Sequence, residues 1–196
     1  EFYFVKKQLL GLVVGVALMI FAFKFNYHNV VRLKNVILIV ALVMLLVVFI
    51  PGVGVASYGA RRWINFFGLS IQSSEIAKFA FVVFAASYMA NNYKKMKTFR
   101  GILPVCIVGG TICLLILMEP NLSVTLCMGM VMLFMLIVGG IRLKHFLILA
   151  IPALLLVPVL IIIEPYRLQR LMAFINPWAN PQEEGFQLIQ SLYSLG

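Results

Sequence analysis

The chain of 196 residues is 63% hydrophobic and only 11% charged, with a mean hydropathy of +1.06, a balance that excludes an ordinary water-soluble domain. Its formal net charge of +10 sets 16 Lys and Arg against six acids, all Glu; the basic residues fall in loops between apolar runs and report membrane orientation rather than nucleic-acid binding. Cys106, Cys113 and Cys127 lie inside apolar runs without metal-ligand spacing, which argues against a zinc site.

A membrane crossing needs roughly 20 apolar residues, and on that measure about six spans are expected: Leu9 to Phe23, Val36 to Ile50, Ser74 to Met89, Ile102 to Met118, Leu122 to Val138, and Phe146 to Ile163. The fold class is therefore an all-α integral membrane protein, a polytopic helical bundle forming one transmembrane domain over residues 1–196. Several runs are shorter than a full crossing, so their helices should extend into the flanking residues. Lys6 and Lys7 precede the first span as in a signal peptide, but no small-residue cleavage site follows, so it is read as a true helix.

Loops after the first, third and fifth spans carry Lys24, Arg32, Lys34, Lys94, Lys95, Lys97, Arg100, Arg142 and Lys144 with no acidic neighbour. The positive-inside rule places them in the cytoplasm. The N-terminus and two long segments, 51–73 and 164–196, are then outside. Both are rich in special residues, Gly52, Gly54, Gly59 and Gly68 around Arg61-Arg62-Trp63 in the first, and Arg167, Arg170, Pro177, Trp178 and Pro181 in the second. Long loops on a rigid scaffold are where function is expected.

Within the third span Lys78 follows Glu75 by three residues, which puts the two charges about 4.5 Å apart along one helix face. Ser73 or Ser74 can cap the helix start, and a first-turn acid complements the dipole there. Lys78 must snorkel, pair with Glu75 or face a polar cavity; both residues are expected to face the bundle interior or an outward-open cavity. Glu119 ends the fourth span, where a carboxylate opposes the macrodipole and needs a cationic partner, Lys78 or an outer-loop Arg. Glu119-Pro120-Asn121 then forms a tight turn. Gly109-Gly110, Ala85-Ala86 and Gly139-Gly140 are expected to let helices approach closely, and Pro152 and Pro158 to bend the sixth span.

Arg61-Arg62 and Arg167-Arg170 are two basic clusters, each beside a Trp, Trp63 and Trp178. Guanidinium forks bind phosphate in two-pronged fashion and Trp suits a sugar face or a membrane interface. Together they suggest an anionic, lipid-linked substrate.

The motifs resemble those of the SEDS proteins, the FtsW, RodA and SpoVE group. The resemblance rests on Gly59-Ala60-Arg61-Arg62-Trp63, then Gln72-Ser73-Ser74-Glu75 with Lys78, then Glu119-Pro120-Asn121, and finally Tyr166-Arg167, Arg170, Asn176-Pro177-Trp178, Pro181 and Gly185-Phe186-Gln187-Leu188-Ile189-Gln190-Ser191. The ending looks more like the division and sporulation members than the elongation one. The resemblance implies a ten-helix glycosyltransferase that polymerises lipid II outside the plasma membrane, with a class B penicillin-binding protein as partner. No cofactor is certain, and a divalent metal enters only by family analogy. The chain starts at Glu1 without Met and stops at Gly196, and is expected to be a fragment covering about helices two to seven.

The site implied includes Arg61, Arg62, Trp63, Gln72, Glu75, Lys78, Glu119, Asn121, Arg167, Arg170, Trp178 and Gln187 for substrate. Members usually read Asn-Pro-Trp-x-Asp-Pro with Asp as the proposed base; here Asn180 stands at that position and cannot accept a proton. Glu183 and Glu184 follow at once and are the candidate replacements. A lipid II flippase, or a non-catalytic scaffold activating the penicillin-binding protein, are the alternatives.

Overall fold

The computed structural model describes residues 2–50, 54–57, 60–66, 69–179, 181–182 and 185–195. The chain divides into two compact units, residues 1–142 and 143–196.

In the first unit, α1 (Tyr3–Lys24) leads through the short α2 (Tyr27–Arg32) into α3 (Lys34–Val47). Asn26 caps α2 by accepting from the His28 amide at 3.0 Å. Three strands follow, β1 (Gly54–Ser57), β2 (Ala60–Phe66) and β3 (Leu69–Gln72), an antiparallel sheet in chain order. The unit closes with α4 (Ser73–Asn91), α5 (Phe99–Met118) and α6 (Leu122–Val138). Thr98 starts α5 by accepting from the Gly101 amide at 3.3 Å.

The expected helices are present and mostly longer than the apolar runs that announced them, because flanking polar and aromatic residues continue the turns. The exceptions are α6, which matches its run, and α3, which ends at Val47 rather than Ile50. Helices α5 and α7 (Leu143–Ile162) are each long and apolar enough to cross a membrane, while Gln8–Lys24, α3 and α6 are shorter apolar helices. The protein is a helical membrane protein. Segment 51–73, expected as a loop, instead holds the sheet among its described residues.

The core of this unit is built on α4, which packs against α3, α5 and α6. Its buried Ala77, Ala80, Phe81, Ala85 and Met89 recur at helical spacing, and so do Ile102, Val105, Ile112 and Ile116 of α5. Of each small-residue pair one member makes the close approach, since neighbours on a helix point about 100° apart. A β-carbon on Gly109 would meet Met132 Sδ at 2.5 Å and Phe81 at 3.0 Å, whereas Gly110 faces open space. Ala85 is buried and Ala86 exposed. Gly101 is needed more strictly: a β-carbon there would lie 2.0 Å from the Lys95 carbonyl oxygen, a backbone atom that cannot swing away. At the α3–α4 contact Lys34 Nζ donates to Ser87 Oγ at 2.7 Å, half-buried, a bond between residues that the sequence keeps far apart.

The second unit contains α7, α8 (Pro165–Ile175), a short 3-10 turn (Pro177–Ala179) and α9 (Phe186–Leu195). α7 continues through Pro152 and Pro158 as a single helix and buries none of its residues. Trp178 and Tyr193 meet edge to face at 6.1 Å, joining the turn to α9.

Candidate functional site at the sheet end of the first unit

Alternating residues of a strand point to opposite faces, so consecutive arginines on β2 cannot both turn the same way. The register pairs Val55 with Trp63 and Ala56 with Arg61, a shift that leaves Arg62 as the extra residue of a β-bulge. A bulge re-aims the side chain it carries. Arg62 is thereby turned onto the end of α5, where its Nε donates to the Glu119 carbonyl at 3.1 Å and its Nη2 donates to the Pro120 carbonyl. The last carbonyls of a helix have no partners inside it, and here one guanidinium binds two of the carbonyls that follow the last turn of α5.

The Glu119 side chain turns inward and is 1% exposed. Its Oε1 accepts from Ser73 Oγ at 3.2 Å, and Ser73 is the first residue of α4, whose amide end favours an anion. Burial nevertheless dominates, pushing the carboxyl up to about 7 from 4.5, while the Ser73 hydrogen bond and the Arg62 charge pull it down. The expected cationic partner of Glu119 is therefore Arg62. The expected Ser cap is not made: Gln72 occupies the cap position of α4 without a side-chain bond, and the Ser73 hydroxyl is spent on Glu119. Asn121 occupies the cap position before α6, and its carbonyl accepts from Thr125 Oγ1 at 2.9 Å. Glu119 Oε2, Ser74 Oγ and Asn121 Nδ2 are buried without a hydrogen-bond partner among the described residues.

This buried acid makes stability depend on pH. A group whose pKa is raised by folding holds a proton in the folded state that the unfolded chain has released, so stability falls as pH rises from about 4.5 through about 7. The fall amounts to on the order of 3 kcal/mol. Glu119→Gln keeps the shape and carries no titrating proton, and the melting temperature of the purified protein should then lose most of its slope across that window. Parallel pH profiles for the two proteins would show that Glu119 does not titrate there.

One turn into α4, Lys78 Nζ and Glu75 Oε1 form an ion pair at 2.8 Å, with side-chain exposures of 22% and 56%. The pair forms as helical spacing dictates, with Lys78 half-buried and Glu75 open to the surroundings of the described unit. Trp63 and Gln72 are cross-strand partners on β2 and β3, both half-buried. The sequence-predicted residues of the first unit thus gather at one end, where β2, the start of α4 and the α5–α6 turn meet.

In the second unit Arg167 Nη1 donates to the Leu160 carbonyl at 2.8 Å, binding the last turn of α7 to the start of α8. Trp178 and Gln187 are exposed. Asn180, Glu183 and Glu184 lie outside the described residues, as do the side chains of Arg61 and Arg170. Among the described residues no three of His, Cys, Asp or Glu come together as a donor set for a divalent metal. The signals missed in the sequence were Ser73 as a donor to Glu119 and Lys34 as a donor to Ser87.

The family model for FtsW, RodA and SpoVE, described as cell cycle protein, matches residues 1–196. Stage V sporulation protein E of Bacillus subtilis is 34% identical, over 100% of this chain and 54% of that protein. The "Probable peptidoglycan glycosyltransferase FtsW" of Saccharophagus degradans is 36% identical over 99% of this chain and 50% of that protein, and that of Geobacter sulfurreducens is 35% identical over 100% and 52%. The chain spans about half the length of these curated relatives. A solved structure of a peptidoglycan synthase complex superposes with a TM-score of 0.72 at 23% identity, covering 95% of this chain and 55% of that one. At that identity the likeness speaks for the fold.

Proposed function

The chain belongs to the FtsW/RodA/SpoVE family of cell cycle proteins, and on that footing we propose that it serves a peptidoglycan glycosyltransferase which polymerises lipid II on the outer face of the plasma membrane, in division or sporulation. The observation that carries this reading is the gathering of Arg62, Ser73 and Glu119 at one end of the bundle, from three segments far apart in sequence. Relatives named as peptidoglycan glycosyltransferases support the reaction class. A class B penicillin-binding protein is the proposed partner, in keeping with the synthase complex that shares the fold.

In the reaction a sugar hydroxyl of one lipid II attacks the anomeric carbon of the growing strand. The new glycosidic bond forms as the bond to the lipid pyrophosphate breaks, with inversion. The hydroxyl proton passes to a carboxylate, and cations steady the departing pyrophosphate. Glu183 or Glu184 takes the proton in place of the amide at Asn180. Within the first unit Arg61 offers positive charge for a pyrophosphate and Trp63 a face for a sugar; within the second, Arg167 and Arg170 offer the charge and Trp178 and Gln187 the sugar contacts. Arg62 has two N–H groups engaged by the α5 end, and its remaining donors extend the same charge. Gln72, Glu75, Lys78, Glu119 and Asn121 hold the base of the substrate site.

A translocation assay separates this reading from a flippase. In sealed vesicles holding the intact protein, fluorescent lipid II in the outer leaflet should be consumed without crossing to the inner one. Crossing without polymer would establish transport instead.

A further inference from the structure

The apolar residues of α8 carry a message that the polymerase reading does not absorb. Leu168, Leu171, Met172 and Ile175 follow the i, i+3, i+4, i+7 pattern of one helix face, and all four are exposed, at 41%, 47%, 57% and 73%. Ala173, on another face, is buried. An exposed stripe of this kind on an 11-residue helix is a surface built to meet something apolar.

Its position says what. α7 is a membrane-crossing helix by length and apolarity, it ends at Ile162, and only Ile163 and Glu164 separate it from Pro165. The Arg167 guanidinium reaches back to the Leu160 carbonyl in the last turn of α7, so α8 begins within a turn of where the crossing ends. That is the depth of lipid headgroups. α8 contains two arginines and no acid, a charge suited to anionic phosphates. Trp178 sits in the 3-10 turn that comes after α8, exposed and edge-on against Tyr193, and Trp and Tyr collect at membrane interfaces.

We propose that α8 is an interfacial helix that lies in the surface of the bilayer beside α7, its Leu168, Leu171, Met172 and Ile175 stripe sunk among the acyl chains beneath anionic headgroups. The large segment from 164 onward would then be held down against the membrane at its first helix. A lipid-linked substrate entering from the leaflet would pass beside an anchored platform rather than a free loop. The anchoring does not depend on what the protein catalyses.

The test uses the intact protein in vesicles of phosphatidylethanolamine and phosphatidylglycerol, with Cys106, Cys113 and Cys127 replaced by Ala. Spin labels are attached at Leu171→Cys, Ile175→Cys and Gln169→Cys, and each label's access to oxygen and to a water-soluble relaxing agent is measured. Labels at 171 and 175 should sit about 5–10 Å below the phosphate level, the depth of an interfacial helix, and the label at 169 should be reached readily by the water-soluble agent. Ile175 lies at the end of α8, so its label remains informative if the Leu171 variant fails to assemble. Equal access of the water-soluble agent to all three labels would overturn the proposal. Labels at 171 and 175 screened from both agents would also overturn it, because protein rather than lipid would then cover the stripe.

Discussion

Changing Glu183 and Glu184 together to Gln in the intact protein is expected to lower glycan-strand formation by about 10²–10⁴-fold, the range that loss of a positioned base produces. Asn180 has a side-chain amide that offers hydrogen bonds and no basicity. A hydroxyl that attacks an anomeric carbon must lose its proton, and residues 164–196 carry no Asp. Glu183 and Glu184 are the nearest carboxylates in the segment, each one methylene longer than the residue that family members carry. One of the two single variants should account for nearly all of the loss, and the other should leave the rate within a few-fold. An unimpaired double variant would show that neither is the base. Asn180→Asp in the otherwise natural protein should raise the rate if the glutamates are imperfectly placed substitutes.

The second large effect is expected at Arg62. Arg62→Glu removes two hydrogen bonds to the carbonyls of Glu119 and Pro120 and sets a second carboxylate near a buried one. The part-buried Glu119 carbonyl left unsatisfied costs about 1–3 kcal/mol, while the exposed Pro120 carbonyl turns to solvent, so a destabilisation of about 1–3 kcal/mol is expected, with polymerisation lost alongside it. Arg62→Lys keeps the charge but not the two-pronged geometry, and should fall between. The cause is isolated by a double-mutant cycle. Glu119→Gln in the Arg62→Glu background should recover part of the stability, because the repulsion between the two acids is gone. Strict additivity of the two changes would show that the Arg62 and Glu119 side chains do not interact.

Helices were legible in the sequence because membrane-spanning runs have long apolar stretches broken by basic loops, a signal that survives without tertiary information. The sheet was not. Its strands are four, seven and four residues long, and glycines and arginines interrupt the alternation that would have announced them. The Glu75–Lys78 pair was legible because helix geometry is local, and it forms at 2.8 Å. The partner of Glu119 was legible only as a requirement: helix electrostatics demanded a cation, but the choice of Arg62 depends on a bulge in strand pairing and a contact across 57 positions. Ser73 shows how an interpretation from local chemistry fails. Capping is what a serine at a helix start usually does, and a buried carboxylate from another helix end outbid it. α8 illustrates the reverse case, since the helical spacing of Leu168, Leu171, Met172 and Ile175 is present in the sequence but is short and flanked by prolines.

We propose that the protein joins lipid II units into strands. The most direct test is to purify the intact protein, reconstitute it in vesicles with lipid II as the only substrate, and resolve the products by size on a gel. A ladder of glycan polymer should form without an added polymerase and disappear in the Glu183→Gln, Glu184→Gln double variant. Intact lipid II after prolonged incubation with well-folded protein, both alone and with its penicillin-binding partner inactivated for cross-linking, would contradict the proposal.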